Sequence, residues 1–146
     1  MCHHRHMADV VTTVGAADSA LDERLNSELD AFNADATADV PAAVKLTVRV
    51  EQDKQLVAGV SGWTWGTAAG ISMTWVDAEH RRSGIGAKAI EAFETEARTR
   101  GCTHVFVTSF TFQAPGFYKR LGYREIFRWE SVPTEGRDDV HMRKEL

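Results

Sequence analysis

Residues 76–88 read Val-Asp-Ala-Glu-His-Arg-Arg-Ser-Gly-Ile-Gly-Ala-Lys, an apolar strand running into a basic, glycine-containing turn that opens a helix. The first N–H groups of a helix have no internal partners. With the positive end of the helix dipole they make a ready anion site. Gly84 and Gly86 remove side chains where a phosphate must come close, and Arg81, Arg82 and Lys88 add positive charge. Three phosphate chemistries compete for this stretch. A nucleoside-triphosphate loop needs Gly-x-x-x-x-Gly-Lys-Ser/Thr, whereas Lys88 here stands between Ala87 and Ala89. Gly84-x-Gly86-x-x-Ala89 matches a dinucleotide fingerprint literally, but those glycines belong directly after the strand, and Asp77 to Ser83 intervene. Nor does the next strand, from His104 to Phe110, carry the acidic residue that would hold a ribose. The third reading is a pyrophosphate site for a coenzyme A thioester.

A second cluster, Phe112-Gln-Ala-Pro-Gly-Phe-Tyr-Lys-Arg-Leu-Gly-Tyr123, follows the next strand. Arg81-Arg-Ser-Gly84-Ile-Gly86 resembles the Arg/Gln-x-x-Gly-x-Gly/Ala signature of the GNAT superfamily of N-acetyltransferases. Ala114, Tyr118, Gly122 and Tyr123 match in register that family's Ala-x-x-x-Tyr-x-x-x-Gly-Phe/Tyr pattern. The resemblance spans residues 9–146, nearly the whole chain. It implies a single-domain α/β GNAT fold: a mixed, mostly antiparallel sheet with a splayed central strand pair flanked by helices. It also implies acetyl-CoA as acetyl donor and a primary amine of a small molecule or peptide as acceptor, joined by direct attack in a ternary complex; the alternative is a non-catalytic acyl-CoA-binding module or an acyltransferase with a different acyl group or acceptor.

Carried over residue by residue, the resemblance sets the pantetheine arm against the backbone of Trp75 and Val76. The pyrophosphate falls on the N–H groups of Arg82, Ser83, Gly84, Ile85, Gly86 and Ala87, and Arg81, Thr111 and Ala114 are further cofactor-binding candidates. Tyr118 matches the tyrosine that protonates the departing thiolate. The chemistry fits these parts. A backbone N–H near Val76 can stabilise the oxyanion formed when an amine attacks a thioester, and a shared cleft supplies proximity. A thiol's reference pKa is about 8.5 and that of tyrosine about 10, so Tyr118 can donate. An alkyl amine near pKa ~10 is mostly ammonium at neutral pH and needs a base. Glu79 is the candidate, with Asp77 as its neighbour, acting directly or through a water; a solvated turn is the plain alternative for both. His80 lies close by and is the weaker candidate. Two departures stand out. Thr111 occupies a position where many members carry Asn, and Thr134 to Asp139 replaces an expected Pro-Gly-His stretch. Gln113 is expected in the cleft. Of Trp63, Trp65, Trp75 and Trp129, most should pack the core and one or two should face an acceptor.

The elements that position these residues follow from periodicity. Asp9 to Val14, rich in β-branched residues, reads as a first strand. Leu21, Leu25, Leu29 and Phe32 recur at helical spacing over residues 19–34, with Ser19 and Asp22 resembling a capping box. That helix has an acidic outer face, Asp22, Glu23, Glu28 and Asp30, which is either simply solvated or an attractor for a cationic acceptor. Three strands, Val44–Glu51, Leu56–Trp65 and Ile71–Val76, are joined by turns at residues 52–55 and 66–70 and so form an antiparallel meander. A helix over residues 84–100 should bury Ile85, Ala89, Ile90, Phe93 and Ala97, with Gly101 as its stop. A strand over 104–109, a short helix from Pro115, and closing strands over 124–131 and 140–146 complete the order β-α-β-β-β-α-β-α-β-β.

Composition sets the outer bounds. With 43% hydrophobic and 26% charged residues in 146, the chain is globular rather than mainly disordered, and its length suits one domain. A net charge of −4 argues against a nucleic-acid partner, and no apolar run is long enough to span a membrane. Two cysteines, Cys2 and Cys102, make no disulfide framework, which suits a reducing cytoplasm. Residues 1–8 lack a signal peptide's apolar stretch and read as a flexible tail. His3, His4 and His6 within it are read as a leader rather than a metal site, and no metal is expected. Dimers are common in the resembled family, so a homodimer is a possibility the sequence leaves open.

Overall fold

The computed structural model describes residues 8–146; the histidines of the expected tail lie outside them. Strands β1 (Val44–Gln52), β2 (Gln55–Trp65) and β3 (Ala68–Val76) form the expected meander. Asp53 and Lys54, both at positive φ, make the two-residue turn between β1 and β2, the geometry that matches strand twist. From β3 the chain passes through a 3₁₀ turn (Ala78–His80) and α2 (Ile85–Thr99) to β4 (His104–Phe110). Then come α3 (Pro115–Arg120), β5 (Arg124–Trp129) and β6 (Asp139–Glu145). The six strands order as β1-β2-β3-β4-β6-β5, antiparallel throughout except for the parallel pair β3–β4.

The core lies on one face of this sheet. Ala89, Ile90, Phe93 and Ala97 of α2 pack over Leu46, Val60, Ala69, Ile71, Val105 and Val107, extended by Val140, Met142 and Tyr123. Glycines make room on both faces of the sheet, Gly62 under α2 and Gly70 on the opposite side. A Cβ on Gly62 would fall 3.0 Å from the Phe93 ring, and one on Gly70 would fall 2.3 Å from the indole of Trp63. The small residues Ala68, Ala69 and Gly70 belong to β3 rather than to a turn as expected, and at Gly70 the Trp63 indole takes the space a side chain would fill.

The first part of the chain departs furthest from expectation. Residues 9–14 form no strand; Val10 and Val14 are 91% and 94% exposed. β-Branched residues favour a strand only where a neighbour supplies the ladder and the packing, and none is beside them. Helix α1 (Ser19–Ala36) forms, but its N-cap is Asp18, whose carboxylate accepts from Leu21 N–H at 3.0 Å, and not Ser19. None of its residues is buried, and its apolar stripe faces outward.

One buried ion pair ties α2 to the last strands. Glu94 is only 3% exposed; it accepts from Tyr123 Oη at 2.8 Å and pairs with Lys144 Nζ at 3.1 Å. Burial first, and the Glu94 carboxylate second, push the Tyr123 hydroxyl far above its usual range, so it remains a donor. Removing one partner of such a pair strands a buried charge, whereas losing a hydrogen bond to it costs less. Lys144→Met should therefore lower unfolding free energy by about 3 kcal/mol in urea titrations, and Tyr123→Phe by about 1–2 kcal/mol. The opposite order would show that the hydroxyl, not the charge pair, holds Glu94.

Candidate active site

Strands β3 and β4 stay paired only from Ala68–His104 to Ile71–Val107. At that point β3 carries a bulge: Gly62 pairs with Ile71, but Ser61 already pairs with Met73, leaving Ser72 unmatched. A bulge bends its strand and sharpens its twist, so β3 beyond Ile71 leaves β4 and the sheet opens. The gap is a cleft of about 890 Å³. Residues 71–76 line one wall, Val107, Thr108 and Phe110 the other, and the starts of α2 and α3 close the end. Asp77 N–H donates toward β2, to Val57 O at 2.8 Å. Strand alternation then turns the N–H and C=O of Val76 to the opposite edge, into the cleft.

The turn after β3 is built to leave α2 uncapped. Gly84, at φ +84°, is the N-cap and no side chain bonds to the first N–H groups. Ser83 Oγ and N–H both donate to His80 O, closing the turn behind it. Arg81 Nε reaches Val76 O at 3.3 Å, and Arg81, Arg82 and Arg120 bring positive charge to the cleft wall. A Cβ on Gly86 would sit 3.1 Å from Val76 and 3.3 Å from the Phe117 ring, so any larger residue crowds both side chains where α2 starts beside β3.

On the opposite wall Tyr118 is 7% exposed and packs edge-to-face with Phe117 and Tyr123, at ring distances of 5.1 and 5.7 Å. Burial raises its pKa, and the neighbouring Thr74 hydroxyl partly opposes that shift. Thr74 Oγ1 is itself buried against the cleft without a well-formed hydrogen bond. Phe110 and Phe112 stack at 5.3 Å along the same side. Gln113 lines the cleft while its Oε1 accepts from Phe110 N–H at 2.9 Å, and Ser109 Oγ accepts from Ala114 N–H at 3.1 Å.

Of the residues singled out in the sequence, Trp75, Val76, Arg81, Arg82, Gly84, Gly86, Ala87, Gln113, Ala114 and Tyr118 line the cleft. Ser83, Ile85 and Thr111 do not. Ser83 holds the turn, Ile85 is half-buried, and Thr111 exchanges two bonds with Asp138, at 2.9 and 3.0 Å. Asp138 is in turn fixed by Arg128 at 2.8 Å; that guanidinium, then Ser131 N–H, hold its carboxyl below the usual range. Glu79 sits exposed in the 3₁₀ turn, outside the lining. Its neighbour His80 lines the cleft, with its ring nitrogens bonded to Asp77 and Gln52 at 3.0 and 2.7 Å. No acidic residue of α1 lines the cleft. Thr74, Phe110, Phe117 and Arg120 went unnoticed in the sequence, since nothing local marks where two strands part.

An extended slot with a free strand edge along one wall and an uncapped, cationic helix start at its end suits a ligand that is amide-bearing along its length and phosphorylated at its tail. Coenzyme A thioesters have this form, and the glycine cradle and unpartnered Thr74 hydroxyl leave room and polar capacity for one. Such a slot on such a sheet defines an acyl-CoA-dependent transferase class.

The comparisons agree. Residues 15–123 match the Acetyltransferase (GNAT) family, and the chain belongs to it; acetyl-CoA is that family's acetyl donor. Blasticidin-S acetyltransferase of Streptomyces morookaense is 38% identical over 88 residues, 58% of this chain and 62% of its own length, so the match spans less than two thirds of that relative. The crystal structure of an acetyltransferase from Bacillus cereus superposes with a TM-score of 0.77 at 25% identity, covering 92% of this chain and 98% of its own. An aminoglycoside 6'-N-acetyltransferase crystallised with coenzyme A shares the fold, with a TM-score of 0.63 at 18% identity over 69% of this chain and 72% of its own. Among the described residues no helix is long and apolar enough to cross a membrane.

The glycine cradle yields a direct expectation. Gly86→Val should weaken acetyl-CoA binding by about tenfold or more, a cost of about 1.4 kcal/mol, measured by calorimetry on a variant with unchanged far-ultraviolet circular dichroism. Unaltered affinity would remove the start of α2 as the phosphate site.

Proposed function

We propose that the chain transfers the acetyl group of acetyl-CoA to a primary amine of a small molecule, by direct attack with both substrates in the cleft. The observation that carries this is the parting of β3 from β4 at the Ser72 bulge, with Tyr118 on one wall and the free Val76 N–H on the other. In this reading the N–H groups at the start of α2, with Arg81 and Arg82, hold the pyrophosphate. The Val76 N–H, fixed before the reaction begins, stabilises the developing oxyanion at no reorganisation cost. Tyr118 gives its proton to the leaving thiolate. Burial keeps that proton in place across the neutral range, because a raised pKa leaves the hydroxyl protonated at every pH below it.

The acceptor meets an aromatic wall. Trp75, Phe110 and Phe112 offer ring faces that attract a cation, which suits an amine that arrives as ammonium. Together with the blasticidin-S relative, this favours an amine-bearing antibiotic or metabolite over a protein lysine. Glu79, exposed at the mouth, is the proposed base and works through water, since it stands outside the lining.

The first test is calorimetric titration with acetyl-CoA, with NADH and ATP as controls. Binding of acetyl-CoA alone is expected; its absence would sink the transferase reading. Thiol release with a panel of amines that includes blasticidin S then identifies the acceptor. In that assay Tyr118→Phe should lower kcat by on the order of 10²-fold with acetyl-CoA affinity nearly unchanged, and Glu79→Gln should lower the rate at neutral pH, with the deficit shrinking as rising pH frees the amine. An unchanged rate would remove the altered residue from its role. The alkaline limb that belongs to Tyr118 should lie above pH ~10 and vanish in the Phe variant.

A further inference from the structure

The turn that sets the start of α2 is strained. Between Arg81 and Gly84 two residues are left-handed, Gly84 at φ +84° and Arg82 at φ +67°. Glycine adopts that conformation readily, but a residue with a side chain holds it only where its surroundings leave no alternative. Helix α2 fixes the turn from the far side. On the near side, all of residues 78–84 are exposed except His80. Whatever holds Arg82 in its left-handed form must therefore act through His80.

His80 is bonded at every polar group. Its carbonyl accepts from both Ser83 N–H and Ser83 Oγ, closing the chain around Arg82. Its own N–H donates to Asp77 O at 2.9 Å. Its ring lies between Asp77 Oδ2, 3.0 Å from Nδ1, and Gln52 Oε1, 2.7 Å from Nε2. Both ring nitrogens are engaged, which leaves none to take a proton from an acceptor amine. The two anchors are themselves fixed by the sheet. Asp77 N–H is bonded to Val57 O of β2, and Gln52 ends β1 beside the tight turn at Asp53 and Lys54. Gln52 and His80 stand 28 residues apart in the chain. Their contact ties the turn before α2 to the first hairpin rather than to its own neighbours.

We propose that His80 is a positioning residue for the donor. Held by Gln52 and Asp77, it locks the Arg81–Gly84 turn in its strained form, so that Arg82 and the first N–H groups of α2 already face the pyrophosphate before the donor arrives. This rests on the reading of the start of α2 as the pyrophosphate site. A turn ordered in advance raises affinity, because binding does not then have to order it. The lock acts on the phosphate end of the donor alone. Thr74 and Tyr118, further along the cleft, take no part in these bonds.

Calorimetric titration with two donors tests it: acetyl-CoA, and acetyl-pantetheine, which carries the same thioester without the pyrophosphate. His80→Ala, and Gln52→Ala at an exposed position outside the cleft lining, should each weaken acetyl-CoA binding by about three- to tenfold. Acetyl-pantetheine binding should stay at the wild-type level in both. The two losses should not add in the double variant, since both break one clamp. Unchanged acetyl-CoA affinity in the single variants overturns the lock. So do equal losses for the two donors, which would mark a general loosening of the cleft, and so do fully additive losses. A wild type that binds neither donor overturns the donor reading and the lock with it, whereas a wild type that binds acetyl-CoA no better than its variants overturns the lock alone.

Discussion

Ser72 is one residue too many for its ladder, and the site follows from that surplus. Strands pair continuously wherever their residues count out equally. Here β2 accommodates an extra residue of β3, so β3 turns out of the sheet plane just where its parallel contact with β4 ends. The backbone groups that would have bonded to β4 are left facing a slot. Everything else at the site depends on that slot being open. Val76 has an edge to present, α2 begins beside it, and Tyr118 faces it across a gap rather than through a ladder.

Holding the slot open requires a rigid remainder. On the β1–β3 side Phe93 over Gly62 locks α2 to the meander by shape, and Trp63 over Gly70 joins β2 to β3 on the opposite face. On the β4–β6 side the Glu94–Lys144–Tyr123 cluster fastens α2 to the closing strands by charge. α2 is the common member of both, so its uncapped start is fixed relative to both walls. Preorganised N–H groups are worth more than mobile ones, since nothing must be reordered when charge arrives.

Local signals were legible in the sequence, and non-local ones were not. The glycine turn before α2 and the Tyr118 register can be read within a dozen residues, because helix starts and short helices are decided by near neighbours. α2's buried face followed from periodicity for the same reason. Ala68 to Gly70 looked like a turn because small residues usually mark one, while the ring that explains them, Trp63, lies across a strand pair. Thr111 was expected against the cofactor but bonds to Asp138, whose position depends on a distant Arg128. Residues 9–14 have the composition of a strand and lack a neighbouring strand. The outward stripe of α1 could be read as amphipathic but not as uncovered, since periodicity says that a face is apolar and not what lies over it.

The strand order carries one more consequence, for how the chain comes to be folded. β6, the last strand made, is not at the rim; it sits between β4 and β5. While the polypeptide is still being extended from its N-terminus, β4 therefore has an empty flank and β5 has no neighbour at all. Half of the Glu94 cluster is missing too, because Lys144 arrives within β6. The long-range pairing that completes the sheet also comes last in time, and such closures are slow. Nascent or truncated chains would display an unsatisfied central edge, the kind of surface that chaperones shield and that self-associates when left bare.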